Sequence, residues 1–282
     1  MPDLIREVVA REVMPHFGKL SASEIETKDS PTDYVSKVDR NAEATISPGL
    51  RLILPHAKQV GEERVTALDG LKSLNEPGDV WVIDSLDGTK NYIEQQPGFT
   101  FMLALVRNSK PYGGWIFDPM RNNMLHGIVS EGAWFNGKPL LIKPKASLQE
   151  MSGRVNTSLF EPSLQQHLDA ELARMQGKHT YVYAAGDSML SVIDGRHDFA
   201  IFRDTAKAWD ALPAAAIFNA AGGRMAYADG EDYYFASPRR GVPLLASPDR
   251  DQWNALANLL FPPAILAKAK AERQPDTKFM PM

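Results

Sequence analysis

Cysteine is absent from the 282 residues, which excludes disulfides, thiolate zinc sites and cysteine nucleophiles. Long apolar runs are absent too. The longest clear one, Phe99 to Val106, falls far short of the roughly 20 residues a membrane-spanning helix needs, so no membrane partner is expected. No apolar leader opens the chain, because Asp3, Arg6, Glu7, Arg11 and Glu12 interrupt that region. The chain is therefore expected to work in the cytoplasm. Basic excess is also lacking: 31 Lys and Arg stand against 35 Asp and Glu, for a net charge of −4. That argues against a nucleic-acid polymer held by bulk positive charge. The six histidines include no closely spaced ligand pair, so no zinc site is expected.

Apolar residues make up 44% of the chain and charged residues 23%, enough to build a sizeable core. Leu4, Ile5, Val8, Val9 and Val13 recur at helical spacing, and Val35, Val38, Ala42 and Ile46 mark a second helix after a Ser30–Asp33 capping loop. Short apolar runs follow at Val80–Ile83, Phe99–Val106, Tyr112–Phe117 and Met124–Val129. A hairpin turn is expected at Phe135–Lys138. Together these predict a mostly antiparallel sheet. The second half alternates. Helices are expected at Leu164–Met175, Met189–Ile193, Trp209–Ala221 and Arg250–Leu260. Strands are expected at Tyr181–Ala184, Phe199–Phe202, Met225–Tyr227 and Val242–Ala246. A tail from Pro262 to Met282, rich in Pro, Lys and Ala, is expected to lose order toward its end. The fold class is α/β (α+β) in layers, with an N-terminal half over 1–152 and a C-terminal half over 153–261.

Three acidic clusters carry the chemistry: Gly61-Glu62-Glu63, Asp84-Ser85-Leu86-Asp87-Gly88-Thr89, and Trp209-Asp210. In the second, a buried strand runs straight into two aspartates and a Gly-Thr turn. Crowded, poorly solvated carboxylates repel one another, and a hard divalent cation such as Mg²⁺ offsets that cost. The turn that follows can open a helix and offer amides to a phosphate. Metal ligands beside an anion cradle suggest phosphoryl chemistry. Each cluster taken singly has a plainer reading, as a capped loop, a solvated glutamate pair or a helix cap. The three together are far more specific.

The clusters, in this order and spacing, resemble the inositol monophosphatase family of magnesium-dependent, lithium-sensitive phosphomonoesterases. Lys28, Asp33 to Asp39, Asn91-Tyr92 and Gly222-Gly223 extend the likeness over roughly residues 1–260. The resemblance implies a layered αβαβα sandwich of the sugar-phosphatase type, with the metal site between its halves. It also implies two or three Mg²⁺ per site and a metal-activated water as nucleophile. Glu63, Asp84 and the carbonyl of Leu86 would hold one ion. Asp84, Asp87 and Asp210 would hold a second, and a third would involve Glu63 and, through water, Asp39. Glu63 and Thr89 would orient the water, and the amides of Gly88 and Thr89 would bind phosphate, with Lys28 as support. Gly186, Ser188 and Arg203 would meet the rest of the substrate, as would Asp87. A homodimer is implied as well.

Ser85 and Leu86 replace the family's Pro-Ile, and Leu212-Pro213 replaces its Ala-Ala, without loss of an implied ligand. Pro213 is expected in a first helical turn, where proline is tolerated. The expected substrate is a small sugar-alcohol phosphate such as inositol 1-phosphate. Arg203 keeps open a 3′(2′),5′-bisphosphate nucleotidase or a histidinol-phosphate phosphatase, because a guanidinium prefers an anion. Asp204 takes an acidic role in the pocket if the register shifts by one. A non-catalytic phospho-ligand binder is the alternative from another class. A haloacid-dehalogenase-type site needs its two aspartates one residue closer, and a Gly-Asp-Ser-Leu esterase at Gly186–Leu190 lacks a distant C-terminal His.

Overall fold

The computed structural model describes residues 1–27, 34–64, 71–140, 147–181, 184–204, 206–233, 239 and 241–273. The capping loop Ser30–Asp33, the end of the tail and Lys28 lie outside these residues. The described helices are α1 Pro2–Val8, α2 Lys37–Ile53, α3 Thr89–Ile93, α4 Pro162–Arg174, α5 Ala185–Ile193, α6 Ala208–Ala220, α7 Arg250–Leu260 and α8 Pro263–Glu272. A π-helical segment, Val9–Val13, continues α1. The strands are β1 Ile25–Thr27, β2 Tyr34–Ser36, β3 Lys58–Gly61, β4 Asp79–Asp87, β5 Thr100–Arg107, β6 Lys110–Asp118 and β7 Asn123–Ile128. After these come β8 Gly132–Phe135, β9 Lys138–Pro139, β10 Gly153–Arg154, β11 His179–Thr180, β12 Phe199–Phe202, β13 Arg224–Tyr227 and β14 Leu244–Ser247.

Strands β3 to β9 form one seven-stranded sheet in sequence order. Only its β3–β4 pair is parallel. The β8–β9 turn places Asn136 at φ 51° and Gly137 at φ 76°, the left-handed pair that a two-residue hairpin with right-twisted strands requires. A second, five-stranded sheet has the order β11-β10-β12-β14-β13. Helices α1 and α2 cover the outer face of the first sheet, where Ile5, Val9, Ile46 and Leu50 meet Trp81, Leu103 and Trp115. Helices α5 and α6 lie between the sheets, and α4, α7 and α8 cover the outer face of the second. The layers run α, β, α, β, α, as expected.

Helix α6 is apolar on nearly every side because it is sandwiched between sheets. Its alanines let it nest closely. Gly114 in β6 completes the fit, since a Cβ there would meet the carbonyl oxygen of Pro213 at 2.1 Å. The helix starts at Ala208, so Pro213 falls in its second turn rather than its first. The earlier start arises because Asp210 accepts the Lys207 N–H at 3.3 Å, which caps the helix.

Several boundaries differ from expectation: β4 runs on to Asp87 rather than ending at Ile83, and α5 starts at Ala185 rather than Met189. A strand lies at His179–Thr180, paired with Gly153–Arg154, two residues before the one expected at Tyr181–Ala184, of which residues 182 and 183 lie outside the described residues. The start of the tail is helical. Pro263 stands at the first turn of α8, where its missing N–H costs nothing, and Leu266 and Ala269 are buried.

Candidate active site

Strand β4 carries the central motif. Asp84 pairs with Met102 and Asp87 with Thr100, so three steps along β4 match two along β5. This bulge turns both aspartates to one face, where a regular strand would send residues three apart to opposite faces. Asp210, at the start of α6, approaches the same face. One carboxylate oxygen from each of Asp84, Asp87 and Asp210 lies within 4.8 Å of the others.

Each aspartate is held differently. Asp84 accepts the Leu86 N–H at 3.0 Å. Asp87 accepts the amides of Ala185 at 3.2 Å and Gly186 at 2.7 Å, and the Thr100 hydroxyl at 3.2 Å. Asp210 accepts its capping N–H from Lys207 at 3.3 Å and no other hydrogen bond from the described residues. None of the three forms an ion pair with a described cation. Burial, followed by repulsion from Glu62, Asp87 and Asp210, holds Asp84 well above the usual carboxylate range. Burial, followed by repulsion from Asp87 and Glu62, does the same to Asp210. Burial pushes Asp87 up to about 6 despite its three hydrogen bonds. The donor set is all oxygen and anionic, and no described cation pairs with it directly, which fits a hard divalent cation.

The triad floors a cleft of about 470 Å³. Glu62, Leu86, Gly88, Thr89, Ser188 and Arg203 also line it, while Glu63, Asp39 and Gly186 do not. The two adjacent glutamates are thus separated by geometry. Glu62 faces the aspartates and repels them. Glu63 donates its backbone N–H to Glu43 at 3.0 Å, and its charge acts on Arg40.

Asp39 sits behind the cleft. It closes the capping box of α2, accepting the Ser36 N–H at 2.9 Å and the Ser36 hydroxyl at 2.5 Å. Its other oxygen lies 3.0 Å from the Thr89 hydroxyl, which is also 3.0 Å from the Leu86 carbonyl. Burial pushes Asp39 up to about 6, outweighing these hydrogen bonds. Ser85 donates its hydroxyl to the Asp39 carbonyl at 2.7 Å and so ties the loop to α2 where the related motif uses proline.

Gly88, at φ 81°, adopts a backbone that suits glycine, and a Cβ there would meet the Gly98 carbonyl at 2.6 Å. Gly186 holds Asp87 rather than lining the cleft, and Ser188 donates to the Ala184 carbonyl at 2.8 Å. Asp187 pairs with buried Arg154, and also with Arg121 at 3.3 Å. Arg203 directly follows β12 and is exposed, yet it also lines the cleft. Asp204 is committed elsewhere: it pairs with Arg273 and accepts the Gly241 N–H at 2.8 Å. Among the described residues, no helix is long and apolar enough to cross a membrane.

Sequence reasoning missed Glu62, the amides on Asp87 and the Arg154–Asp187 pair. The Glu-Glu doublet was the only available signal for the first. The other two join segments far apart in the chain.

The model of the inositol monophosphatase family matches residues 3–259. An inositol-1-monophosphatase of Bacillus subtilis is 28% identical over 238 residues, which make up 82% of this chain and 85% of that protein. The Nus factor SuhB of Xylella fastidiosa is 30% identical over 228 residues, or 78% of each chain. Among solved structures, an inositol monophosphatase of Thermotoga maritima superposes with a TM-score of 0.76 at 22% identity, covering 95% of this chain and 97% of that one.

Proposed function

The chain belongs to the inositol monophosphatase family of phosphomonoester hydrolases, and we propose that it cleaves a small phosphomonoester with Mg²⁺ held by Glu62, Asp84, Asp87, Asp210 and the Leu86 carbonyl. The observation that carries this reading is the aspartate triad, two buried and one half-buried carboxylate within 4.8 Å of one another at the floor of an open cleft. When bound, the divalent ion supplies Lewis acidity and lowers the pKa of water. Glu62 stands in this reading where the resemblance implied Glu63, because Glu62 alone of the pair lines the cleft.

Thr89 and Asp39 form the proton-handling pair. The Thr89 hydroxyl has one hydrogen and two acceptors, Asp39 and the Leu86 carbonyl, each at 3.0 Å. Giving that hydrogen away leaves a lone pair facing the cleft, where it orients the attacking water. The amides of Gly88 and Thr89 bind the phosphate. In hydrolysis the water oxygen bonds to phosphorus as the ester P–O bond breaks; one of the water's two protons stays with the phosphate and the other ends on the departing alkoxide. Inositol 1-phosphate represents the sugar-alcohol phosphates among the substrates to test.

The test is phosphate release by metal-stripped protein, with and without Mg²⁺, on inositol 1-phosphate and 4-nitrophenyl phosphate. Release that depends on Mg²⁺ supports the reading. Phosphate-ester binding without release in either condition would leave a ligand-binding protein instead.

A further inference from the structure

Resting on that metal-binding reading, we propose that Asp187 is a positioning residue for the metal centre. Held between Arg154 and Arg121, it fixes the two α5 amides that grip Asp87. Neither Asp187 nor Arg121 lines the cleft. The Asp187 carboxylate instead ties three layers together. It pairs with Arg154, on β10 of the second sheet, and at 3.3 Å with Arg121, in the turn after β6 of the first. Arg196, just past α5, lies 3.9 Å away. Only 4% of the Asp187 side chain and 7% of the Arg154 side chain are exposed, so that pair is made out of water. Both arginines are held in turn. The Arg121 backbone N–H and guanidinium bind buried Asp118 at 3.1 and 2.7 Å. Arg154 donates to the Thr180 hydroxyl at 3.1 Å, and that hydroxyl lies 2.8 Å from Nε2 of His197.

Helix α5 needs a directional anchor. Ala185 and Gly186 give their N–H groups to Asp87 at 3.2 and 2.7 Å. Ala184, at the N-cap, has no side-chain oxygen to lock that first turn. Met189, Leu190, Val192 and Ile193 bury the helix in the apolar core, and apolar contact is non-directional. The Asp187 cluster supplies direction one residue beyond Gly186. A buried ion pair adds little net stability over well-packed apolar groups, so its contribution here is to geometry. If Asp187 lets go, α5 can rotate, and its amides leave the Asp87 carboxylate. Loss of partners that orient a metal ligand from outside commonly costs about 10- to 100-fold in metal affinity.

In the experiment, Mg²⁺ is titrated calorimetrically into metal-stripped protein, well below its melting temperature. The native chain, Asp187→Asn, Arg121→Gln and the double variant are compared. Asparagine keeps the shape of Asp187, and the Arg121 side chain is 39% exposed, so both variants should fold. Asp187→Asn is expected to weaken Mg²⁺ binding by about tenfold or more. Arg121→Gln is expected to weaken it too, by a smaller factor. This direction separates positioning from charge, because removing a cation strengthens Mg²⁺ binding if the electric field alone matters. The double variant should bind no more weakly than Asp187→Asn, since both changes undo one anchor. Tighter Mg²⁺ binding by Arg121→Gln, or native affinity in both single variants, overturns the inference and leaves the hydrolase reading intact. Should Asp187→Asn fail to fold, the direction of the Arg121→Gln change decides alone. A native protein that binds no Mg²⁺ overturns the metal reading and this inference together.

Discussion

Asp84 and Asp87 share one face of β4 only because the strand bulges between them, with Met102 and Thr100 as their partners across the ladder. Two residues apart on the partner strand match three on this one, so the pleat slips by a residue. The two carboxylates are thereby brought to within metal-ligand distance, at the cost of burying like charges side by side.

Replacing Asp84 by Asn should remove turnover and spare the fold. The metal-free variant should melt no lower than the native protein near neutral pH, because a buried charge repelled by Glu62, Asp87 and Asp210 is gone. Thermal denaturation with and without Mg²⁺ checks this, and the metal-induced rise in Tm should vanish. Wild-type turnover in Asp84→Asn would remove the triad from the reaction.

The two glutamates give a sharper contrast. Glu62→Gln should weaken Mg²⁺ activation by an order of magnitude or more, as loss of a ligand charge does. Glu63→Gln should change it little, since Glu63 is not among the cleft-lining residues. Titrating activity against Mg²⁺ in both variants distinguishes them, and the reverse ranking would return the ligand role to Glu63.

The metal-free protein should lose stability as pH rises. Asp84, Asp87 and Asp210 have folded pKa values raised above the unfolded value, so the folded state binds more protons in the intervening window. Unfolding free energy therefore falls with pH, by at most about 1.4 kcal/mol per unit for each group. For Asp87 the window opens near the ordinary aspartate value of 3.8 and closes through about 6. Asp79, held below the usual range by Arg107, opposes this, losing its stabilisation as pH falls below about 4. His126, His179 and His197, held below the usual imidazole value by burial, work the opposite way over this range, so urea denaturation in a chelator should show the native protein losing more stability between pH 5 and pH 7.5 than Asp84→Asn does. Mg²⁺ should stabilise more at the higher pH, because protons no longer compete. A pH-independent difference would mean that the triad is not protonated in the folded state.

The three aspartates were legible in the sequence because their types and spacing are constrained by chemistry. The layering was legible because apolar periodicity reports which faces are covered. Glu62 and Glu63 could not be separated by pattern, since adjacent residues in a turn follow neither period. The amides on Asp87 come from residues almost a hundred positions away, separations of 98 and 99, which no local pattern reveals. The Arg154–Asp187 pair is hidden for the same reason. Arg154 occupies a two-residue strand too short to show its burial. Helix α8 was obscured by composition, because its Pro-Lys-Ala content masks the two positions, Leu266 and Ala269, that anchor it.

Thr89→Val should lower kcat by about 10²-fold, the usual worth of a positioned proton-transfer group. It removes the hydroxyl that lies 3.0 Å from both Asp39 and the Leu86 carbonyl while keeping the volume. Thr89→Ser should recover most of the rate. Steady-state kinetics on one substrate suffices, provided Mg²⁺ affinity is measured alongside. If Val were as active as Ser, the hydroxyl would have no part in handling the water.

Gly186→Ala tests how Asp87 is held. A Cβ at this position would lie 1.9 Å from the Thr100 hydroxyl oxygen and 2.9 Å from the Thr100 Cβ. Helix α5 must then back away from β5, and it draws with it the two amides that bind Asp87 at 3.2 and 2.7 Å. Overpacking of this kind costs about 1–3 kcal/mol, so urea denaturation of the metal-free variant should show a loss in that range. Mg²⁺ affinity should fall as well, because Asp87 loses its orientation. Thr100→Ala removes the oxygen that clashes, so the double variant should be more stable than additivity of the two single changes implies. Strict additivity would mean that the approach of α5 to β5 does not position Asp87.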